Sequence, residues 1–299
     1  ARTAHMASTL IALACVLAVV VAAHAAPAPL AAKMTEEEVV EYAGHLKTSE
    51  PPAPPEASPF PMPPLDALRA LVSVGTPLRK DERIVFFGDS ITWLNGYIAV
   101  IDDAISSSPT AAALNMTVIN RGVNGAKIQN IITGGTFFGT TVPPFADALV
   151  EDQATVVVVY IGINDCWFPT KNDSSSLPEY TARLKEMMQT IHSLAANGSI
   201  PEPHVVLATV SVIGELPNLK NENDACLNGF AGAVYGLTPV LPTAFVDLRG
   251  AYMRYEAAFN SHAPLAQGVL SRDGVHPTPQ GNNLLADMMA RGILDATQY

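Results

Sequence analysis

Positively charged residues are scarce in this sequence and are nowhere clustered. Lysine and arginine together number 17, against 28 aspartate and glutamate residues, which gives a formal net charge of −11 at pH 7. Binding to nucleic acid requires a concentration of positive potential against the phosphates. The sequence therefore argues against nucleic acid as a partner, and an acidic surface of this kind suits an exported enzyme.

The sequence also lacks the usual signatures of a metal ion or a phosphate-bearing cofactor. Its cysteine, histidine and carboxylate residues show no ligand spacing of the kind that holds zinc. The glycine-rich stretch from Gly134 to Gly139 is not followed by the lysine of a phosphate-binding loop. We interpret this stretch as a mobile loop on the substrate side, and we expect neither a metal nor a cofactor.

The longest apolar run near the N-terminus, from Leu10 to Ala23, is shorter than the roughly 20 residues that span a bilayer. It ends in Ala23-His24-Ala25, the small-x-small pattern that signal peptidases accept. We predict a signal peptide over residues 1–25, cleaved after Ala25, and an uncleaved signal anchor is the alternative. Cleavage predicts export to the extracellular space, the periplasm or an endomembrane lumen, without stable membrane insertion.

Cysteine is rare, with three residues in the chain, of which Cys15 falls in the predicted signal peptide. Cys166 and Cys226 remain as an even pair in an oxidising compartment, where disulfides persist. A disulfide between them is one reading. Two unpaired buried thiols are the other, because sequence alone does not place the two Cα atoms within bridging distance.

Apolar residues make up 48% of the chain, which is ample for a large core. Residues 26–82 form an N-terminal extension with a proline-rich linker at 51–64, and residues 83–299 form the main domain. From residue 83 onward, short β-rich apolar runs alternate with longer helical patterns, which predicts an α/β domain with a parallel sheet between two helical layers. The predicted strands are 83–87, 117–120, 155–161, 204–209 and 244–246, and the predicted helices are 96–106, 178–196, 224–235 and 278–294.

Reactive residue types fall where such a sheet would bring them together. Ser90 directly follows the first strand, at a turn into a helix, and a serine hydroxyl needs a nearby base to act as a nucleophile. Before the last helix, Asp273 precedes His276 by three residues. At that spacing the aspartate can fix the imidazole tautomer while the histidine takes the proton from Ser90.

Two further loops offer donors for an oxyanion. After the second strand, Gly125 has no side chain to keep its amide from the substrate, and after the third strand Asn164 supplies a neutral side-chain amide. Ligands of open parallel sheets bind beyond the carboxyl ends of the strands, where these loops converge. The sequence therefore predicts a serine hydrolase site at that edge.

Together, Ser90 in Gly-Asp-Ser-Ile, Gly125, Asn164 in Gly-Ile-Asn-Asp and His276 in Asp-Gly-Val-His-Pro closely resemble the SGNH branch of the GDSL esterases and lipases. The resemblance runs from about Arg83 to Leu294. It implies a flavodoxin-like α/β/α sandwich with a five-stranded parallel sheet. It also implies Ser90 as nucleophile and oxyanion donor, Gly125 and Asn164 as further oxyanion donors, and His276 as base with Asp273 behind it.

Four residues near these motifs are given other roles. His262 has no acid three residues away, which favours a surface loop. Asp89 and Asp165 flank the site, but an aspartate in such a position more often accepts backbone amides and holds its turn. Cys166, directly after Gly-Ile-Asn-Asp, departs from the common pattern and could narrow the acyl pocket, or tether it if bonded to Cys226.

We therefore predict a serine ester hydrolase that cleaves carboxylic esters through an acyl-serine intermediate. Similar sequences include many exported bacterial esterases and carbohydrate deacetylases, so short acyl or acetyl esters of carbohydrates or small alcohols are the expected substrates. A lysophospholipase or thioesterase is the enzymatic alternative. A noncatalytic carbohydrate-binding or cell-surface protein on the same fold is the alternative from another class.

Overall fold

The structure of the chain is a computed structural model that describes residues 59–137, 140–167, 176–237 and 243–298. The predicted signal peptide and most of the proline-rich linker lie outside the described residues. The chain divides after Pro61, and the elements below all belong to the unit that begins at Met62.

A five-stranded parallel sheet forms the centre of this unit. Its strands are β1 Arg83–Gly88, β2 Thr117–Gly122, β5 Val156–Tyr160, β6 His204–Ala208 and β7 Ala244–Val246. Their spatial order is β2-β1-β5-β6-β7. The chain builds outward from β1 to one edge, then returns to the other side of β1 through β5. The order thus reverses beside β1, at the kind of position where open α/β sheets bind their ligands.

The core lies along β1 and β5. Every residue of β5 is buried, and in β1 only Arg83 is partly exposed. The unbroken Val156-Val157-Val158-Val159 run therefore packs on both faces of the sheet, as expected of a central parallel strand. Burial of one such side chain contributes on the order of 2 kcal/mol relative to exposure.

Helices cover both faces of the sheet. On one side, α11 (Pro279–Ala296) packs against β5, β6 and β7 and against α3 (Gly96–Ser107). On the other side, α8 (Leu177–Ala196) packs beside α9 (Asp224–Leu237) and two shorter helices. The α/β class and the five-stranded sheet predicted from the sequence are thus confirmed.

Several elements were not predicted from the sequence. All but one of these segments span eight residues or fewer, so that their periodicity does not stand out. The additional elements are α1 Asp66–Leu71, α2 Ser90–Trp93, α4 Pro109–Ala112, α5 Ile128–Thr133, β3 Gly135–Phe137, β4 Thr140–Val142, α6 Phe145–Asp152, α7 Ile163–Trp167 and α10 Leu248–Phe259.

The segment before β1 belongs to the same unit as the sheet. Helix α1 packs on α11, and Asp287 Oδ1 accepts hydrogen bonds from the backbone N–H groups of Ala67 and Leu68, at 2.7 and 3.1 Å. These two groups lie at the N-terminal end of α1, where no intrahelical acceptor is available. Part of the predicted extension therefore covers the C-terminal helix.

Strands β3 and β4 pair antiparallel in a small separate hairpin. They include Gly135–Phe137, which had been interpreted as part of a loop. None of the helices in the described part of the chain combines the length and the apolar character that crossing a bilayer requires.

Candidate active site

Ser90 stands at the carboxyl end of β1 as the first residue of α2. Its backbone N–H therefore has no intrahelical acceptor. Asp89 caps this helix through a 3.0 Å hydrogen bond that the Ile91 N–H donates to Oδ1. The short helix thus holds the serine hydroxyl and the first backbone N–H of its N-terminus at the carboxyl end of β1.

The end of β2 holds α2 in place. A Cβ atom on Gly122 would lie 2.2 Å from the backbone nitrogen of Trp93, so that only glycine allows the helix to approach this closely. Asn120 donates from Nδ2 to the carbonyl of Thr92 at 2.8 Å and accepts the Gly122 N–H through Oδ1 at 2.8 Å. Asn120 therefore connects α2 to the last residue of β2.

A continuous chain of hydrogen bonds joins Ser90, His276 and Asp273, the three residues that the sequence predicted to act together. Ser90 Oγ lies 3.0 Å from His276 Nε2, and His276 Nδ1 lies 2.7 Å from Asp273 Oδ2. Ser90 is 6% exposed and His276 is 5% exposed. Because a carboxylate only accepts hydrogen bonds, Nδ1 carries the imidazole proton, which leaves Nε2 free to accept the proton of the serine hydroxyl.

Asp273 is held by the turn that it begins. Its Oδ1 accepts the N–H groups of Val275 and His276, at 3.0 and 2.7 Å. Burial alone would raise the pKa of Asp273, but the hydrogen bonds and the charge of His276, together with these N–H groups, hold the pKa below its usual value. Asp273 is therefore ionised throughout the neutral range and is oriented towards the imidazole.

The two predicted oxyanion segments are joined to each other. Asn164, on α7, is 3% exposed and donates one Nδ2 hydrogen to the carbonyl of Ala126 at 3.0 Å. An amide NH₂ group has two hydrogens, so a second remains for a ligand. Gly125 precedes Ala126 and has a φ of +69°, a left-handed backbone that favours glycine. The Asn164 side chain thereby fixes the loop that presents the Gly125 amide.

The two flanking aspartates accept backbone amides, as the sequence predicted. Asp165 is fully buried and accepts the Ile128 N–H, with its two oxygens at 3.4 and 3.2 Å, which holds α5 against α7. Asp89 is also fully buried, and within the described residues its Oδ2 has no hydrogen-bond partner. Burial raises the pKa of Asp89 to about 6, although the Ile91 N–H and the nearby His276 oppose this shift.

Cys166 and Cys226 form a disulfide bond. Cys166 lies two residues after Asn164 on α7, and Cys226 lies near the start of α9, 60 residues later. The bond ties the short helix that carries Asn164 to a long helix of the domain. A disulfide of this kind persists in an oxidising compartment, and the predicted export stays a prediction.

The sequence profile of the GDSL-like lipase/acylhydrolase family matches residues 86–284, which include every site residue above. The chain belongs to this family. It is therefore a carboxylic ester hydrolase of the GDSL type, and a noncatalytic role on the same fold is not supported.

Solved structures of two esterases and of a further hydrolase share the fold. The acetyl xylan esterase AlAXEase is 25% identical, with 69% of this chain and 97% of that chain covered and a TM-score of 0.55. Axe2, an acetylxylan esterase from Geobacillus stearothermophilus, is 20% identical, with 75% and 97% covered and a TM-score of 0.54. LAE5, an alpha/beta hydrolase enzyme from the metagenome of Lake Arreo, Spain, is 21% identical, with 75% and 98% covered and a TM-score of 0.53. Comparison with curated proteins gives no match.

The structure thus brings Ser90, Asp273 and His276 into contact and places Asn164 against the Gly125 loop. His262, the other histidine weighed for the role of base, lies on an exposed loop. Sequence reasoning missed Asn120, although its place at the end of the second predicted strand, directly before Arg121-Gly122, was a signal that could have indicated it.

Proposed function

We propose that this GDSL-type hydrolase cleaves its esters by nucleophilic attack of Ser90, with His276 as the general base and Asp273 as the residue that orients and stabilises the imidazole. The observation that carries this proposal is the hydrogen-bond chain from Ser90 Oγ through His276 to Asp273. The same three roles, with the same order of contacts, make up the serine hydrolase triad on unrelated folds.

In the first half of the reaction, Ser90 Oγ attacks the ester carbonyl carbon while its proton passes to His276 Nε2. Negative charge develops on the carbonyl oxygen, and the donors proposed to meet it are the backbone N–H groups of Ser90 and Gly125 and the second Nδ2 hydrogen of Asn164. The tetrahedral intermediate then collapses. The carbon–oxygen bond to the alcohol breaks, and His276 donates its proton to the departing oxygen.

In the second half, water replaces the alcohol beside His276. Nε2 takes a proton from the water as its oxygen attacks the acyl-serine carbonyl, and the same donors stabilise the second oxyanion. Collapse of this intermediate releases the carboxylic acid and returns the proton from His276 to Ser90 Oγ. Only Ser90 forms a covalent bond to substrate, and the imidazole carries one proton in each direction in each half-reaction.

For the substrate, we propose acetyl or other short acyl esters of carbohydrates. The support is the likeness to AlAXEase, an acetyl xylan esterase whose chain is covered almost completely at 25% identity. A second support is Trp93, an exposed aromatic residue on the same short helix as Ser90. Longer acyl chains, as in a lysophospholipase or thioesterase, are the competing possibility.

Acyl-chain preference tests this choice. With p-nitrophenyl esters from acetate to decanoate, we expect kcat/KM to be highest for acetate or propionate and to fall with each longer chain. Acetylated xylo-oligosaccharides are expected to release acetate under the same conditions. A maximum at octanoate or decanoate would instead favour the lysophospholipase or thioesterase alternative.

Trp93 is the aromatic residue beside the nucleophile. It lies three residues after Ser90 on α2, a spacing that places both side chains on neighbouring positions of one helix face. Its backbone nitrogen abuts Gly122, at the end of β2 and three residues before Gly125. Trp93 is 52% exposed despite its size. A pyranose ring could lay the apolar face of its C–H groups on the indole, next to the acetyl group under attack.

Replacing Trp93 with alanine is therefore expected to raise KM for acetylated xylo-oligosaccharides about fivefold, which corresponds to the loss of about 40 Å² of apolar contact. KM for p-nitrophenyl acetate, which has no sugar ring, is expected to change less than twofold. Phe259→Ala, which removes an aromatic ring that is 46% exposed on another helix, serves as the matched control. Equal effects on both substrates would contradict a sugar-stacking role for Trp93.

A further inference from the structure

A buried carboxylate, Glu215, is bonded to the segment that leads into the His276 turn. Glu215 has no exposed surface. Its Oε2 accepts the N–H of Val269 at 2.8 Å, and its Oε1 accepts the N–H groups of Leu270 and Ser271, at 2.6 and 2.5 Å. Three consecutive backbone donors therefore converge on one side chain more than 50 residues away in sequence. Hydrogen bonds to a carboxylate are among the strongest that a buried backbone can make.

The backbone around Glu215 is bonded to the same segment. The Gly214 N–H donates to the carbonyl of Gly274 at 2.8 Å, within the turn between Asp273 and His276, and the Glu215 N–H donates to the carbonyl of Ala266 at 2.9 Å. Residues 214–215 are therefore hydrogen-bonded to the segment that carries Asp273 and His276 at three places: at Ala266, at residues 269–271 and at Gly274.

Two backbone hydrogen bonds within residues 270–278 connect the part of the chain bonded to Glu215 with the turn that carries His276. The Arg272 N–H donates to the carbonyl of His276, and the Thr278 N–H donates to the carbonyl of Leu270, both at 2.8 Å. A shift of Leu270 or Ser271 would therefore be transmitted to the turn that places the imidazole. A displacement of 1 Å at the reacting groups can reduce a rate about a hundredfold.

The chemistry of the three bonds explains why a carboxylate stands at this position. A glutamine has one acceptor oxygen and an NH₂ group, so in either orientation its NH₂ would face at least one backbone N–H. Burial raises the pKa of Glu215, while the three N–H groups oppose that shift. The neighbouring Glu256 is also buried, and burial together with the charge of Glu215 raises its pKa to about 8. Glu256 makes no side-chain hydrogen bond to the described backbone of residues 269–271.

We propose that Glu215 is a positioning residue of this hydrolase: its carboxylate holds the backbone of residues 269–271 so that His276 stays within reach of Ser90. The proposal rests on the roles proposed above for Ser90, Asp273 and His276. Glu215 touches neither the substrate nor the reacting atoms, and it acts through the position of the turn.

The test compares Glu215→Gln, Glu215→Asp and Glu256→Gln in the otherwise intact chain, with p-nitrophenyl acetate as substrate and with folding checked by circular dichroism and urea unfolding. For Glu215→Gln we expect kcat to fall about 10- to 100-fold while KM stays within about twofold, because the substrate contacts are untouched. Glu215→Asp keeps the charge and is expected to recover part of the lost kcat. Glu256→Gln, the matched control in the same buried cluster, is expected to keep kcat within about twofold.

Three outcomes would overturn the proposal. One is a folded Glu215→Gln variant with unchanged kcat. Another is an equal fall of kcat in Glu256→Gln. The last is failure of both Glu215 variants to fold, which would assign Glu215 to the stability of the domain alone. Ser90→Ala is measured in parallel. If that variant stays active, the proposed function itself fails, and if it is inactive, the behaviour of the Glu215 variants decides the positioning role separately.

Discussion

Replacing Ser90 with alanine is expected to lower kcat on p-nitrophenyl acetate at least about a thousandfold, with the fold unchanged. The change removes one oxygen atom from a side chain that is 6% exposed and whose Oγ faces His276 Nε2. It leaves the backbone N–H of residue 90 in place. The acyl-serine route is then closed, and only the activation of water by His276 and the oxyanion donors remains to accelerate hydrolysis.

A fluorophosphonate probe checks the same residue without turnover. We expect the wild-type chain to be labelled at Ser90 and the alanine variant to be unlabelled. Ser106→Ala is the matched control, because Ser106 is an exposed serine on α3 away from the hydrogen-bond chain. Activity in Ser90→Ala within tenfold of wild type would rule out Ser90 as the nucleophile.

The second large effect is expected for Asp273→Asn, which should lower kcat about a hundred- to ten-thousandfold. Asp273 Oδ1 accepts two backbone N–H groups, and Oδ2 faces His276 Nδ1. An asparagine that keeps its oxygen on the backbone donors turns its NH₂ group towards Nδ1. The imidazole proton then moves to Nε2, which can no longer accept the proton of Ser90.

Asp103→Asn, on an exposed position of α3, is the control for the loss of one negative charge. Asp89→Asn is the informative comparison, since Asp89 is buried and interacts electrostatically with His276. If Asp89→Asn lowers activity more than Asp273→Asn does, Asp89 and not Asp273 would be the acid that supports His276. An Asp273→Asn variant within tenfold of wild type would remove Asp273 from the mechanism.

The pKa of Asp273 also predicts what acid does to these variants. Because its pKa is held below the ordinary value, Asp273 stabilises the folded chain above the pKa of the unfolded state, and this contribution is lost as the pH falls through the folded-state pKa. The wild-type chain and the Asp273→Asn variant should therefore converge in urea stability in strong acid and differ most at neutral pH.

How much of the site could be foreseen depends on the range of the interaction. The pairing of Asp273 with His276 spans three residues, and the residue types alone predicted it. The placement of Ser90 beside His276 spans 186 residues. It could be predicted because Ser90 directly follows a predicted strand and His276 lies on the loop before the last predicted helix. In a parallel sheet, such loops meet at the carboxyl ends of the strands.

Glu215 carried no such pattern. Glu215 lies in a stretch without strong helical or strand periodicity, and its partners are backbone N–H groups, which every residue except proline possesses. No residue type in the sequence of 269–271 indicates that they bind a carboxylate. Asn120 differs from Glu215, because its place at the end of the second predicted strand was a signal. Its hydrogen bond to the carbonyl of Thr92, 28 residues away, was not visible in the sequence.

By itself, then, the sequence determined the α/β class, the strands of the sheet and the family, and it indicated the candidate site residues, because hydrophobic periodicity and short motifs are local properties of the chain. The tertiary structure alone decided the order of the strands and the bond between Cys166 and Cys226. It also decided the distances that join Ser90, His276 and Asp273, and the hydrogen bonds of Glu215 to the backbone of residues 269–271. The physical reason is that these features depend on which distant segments pack together, and packing is settled by the burial of the whole core.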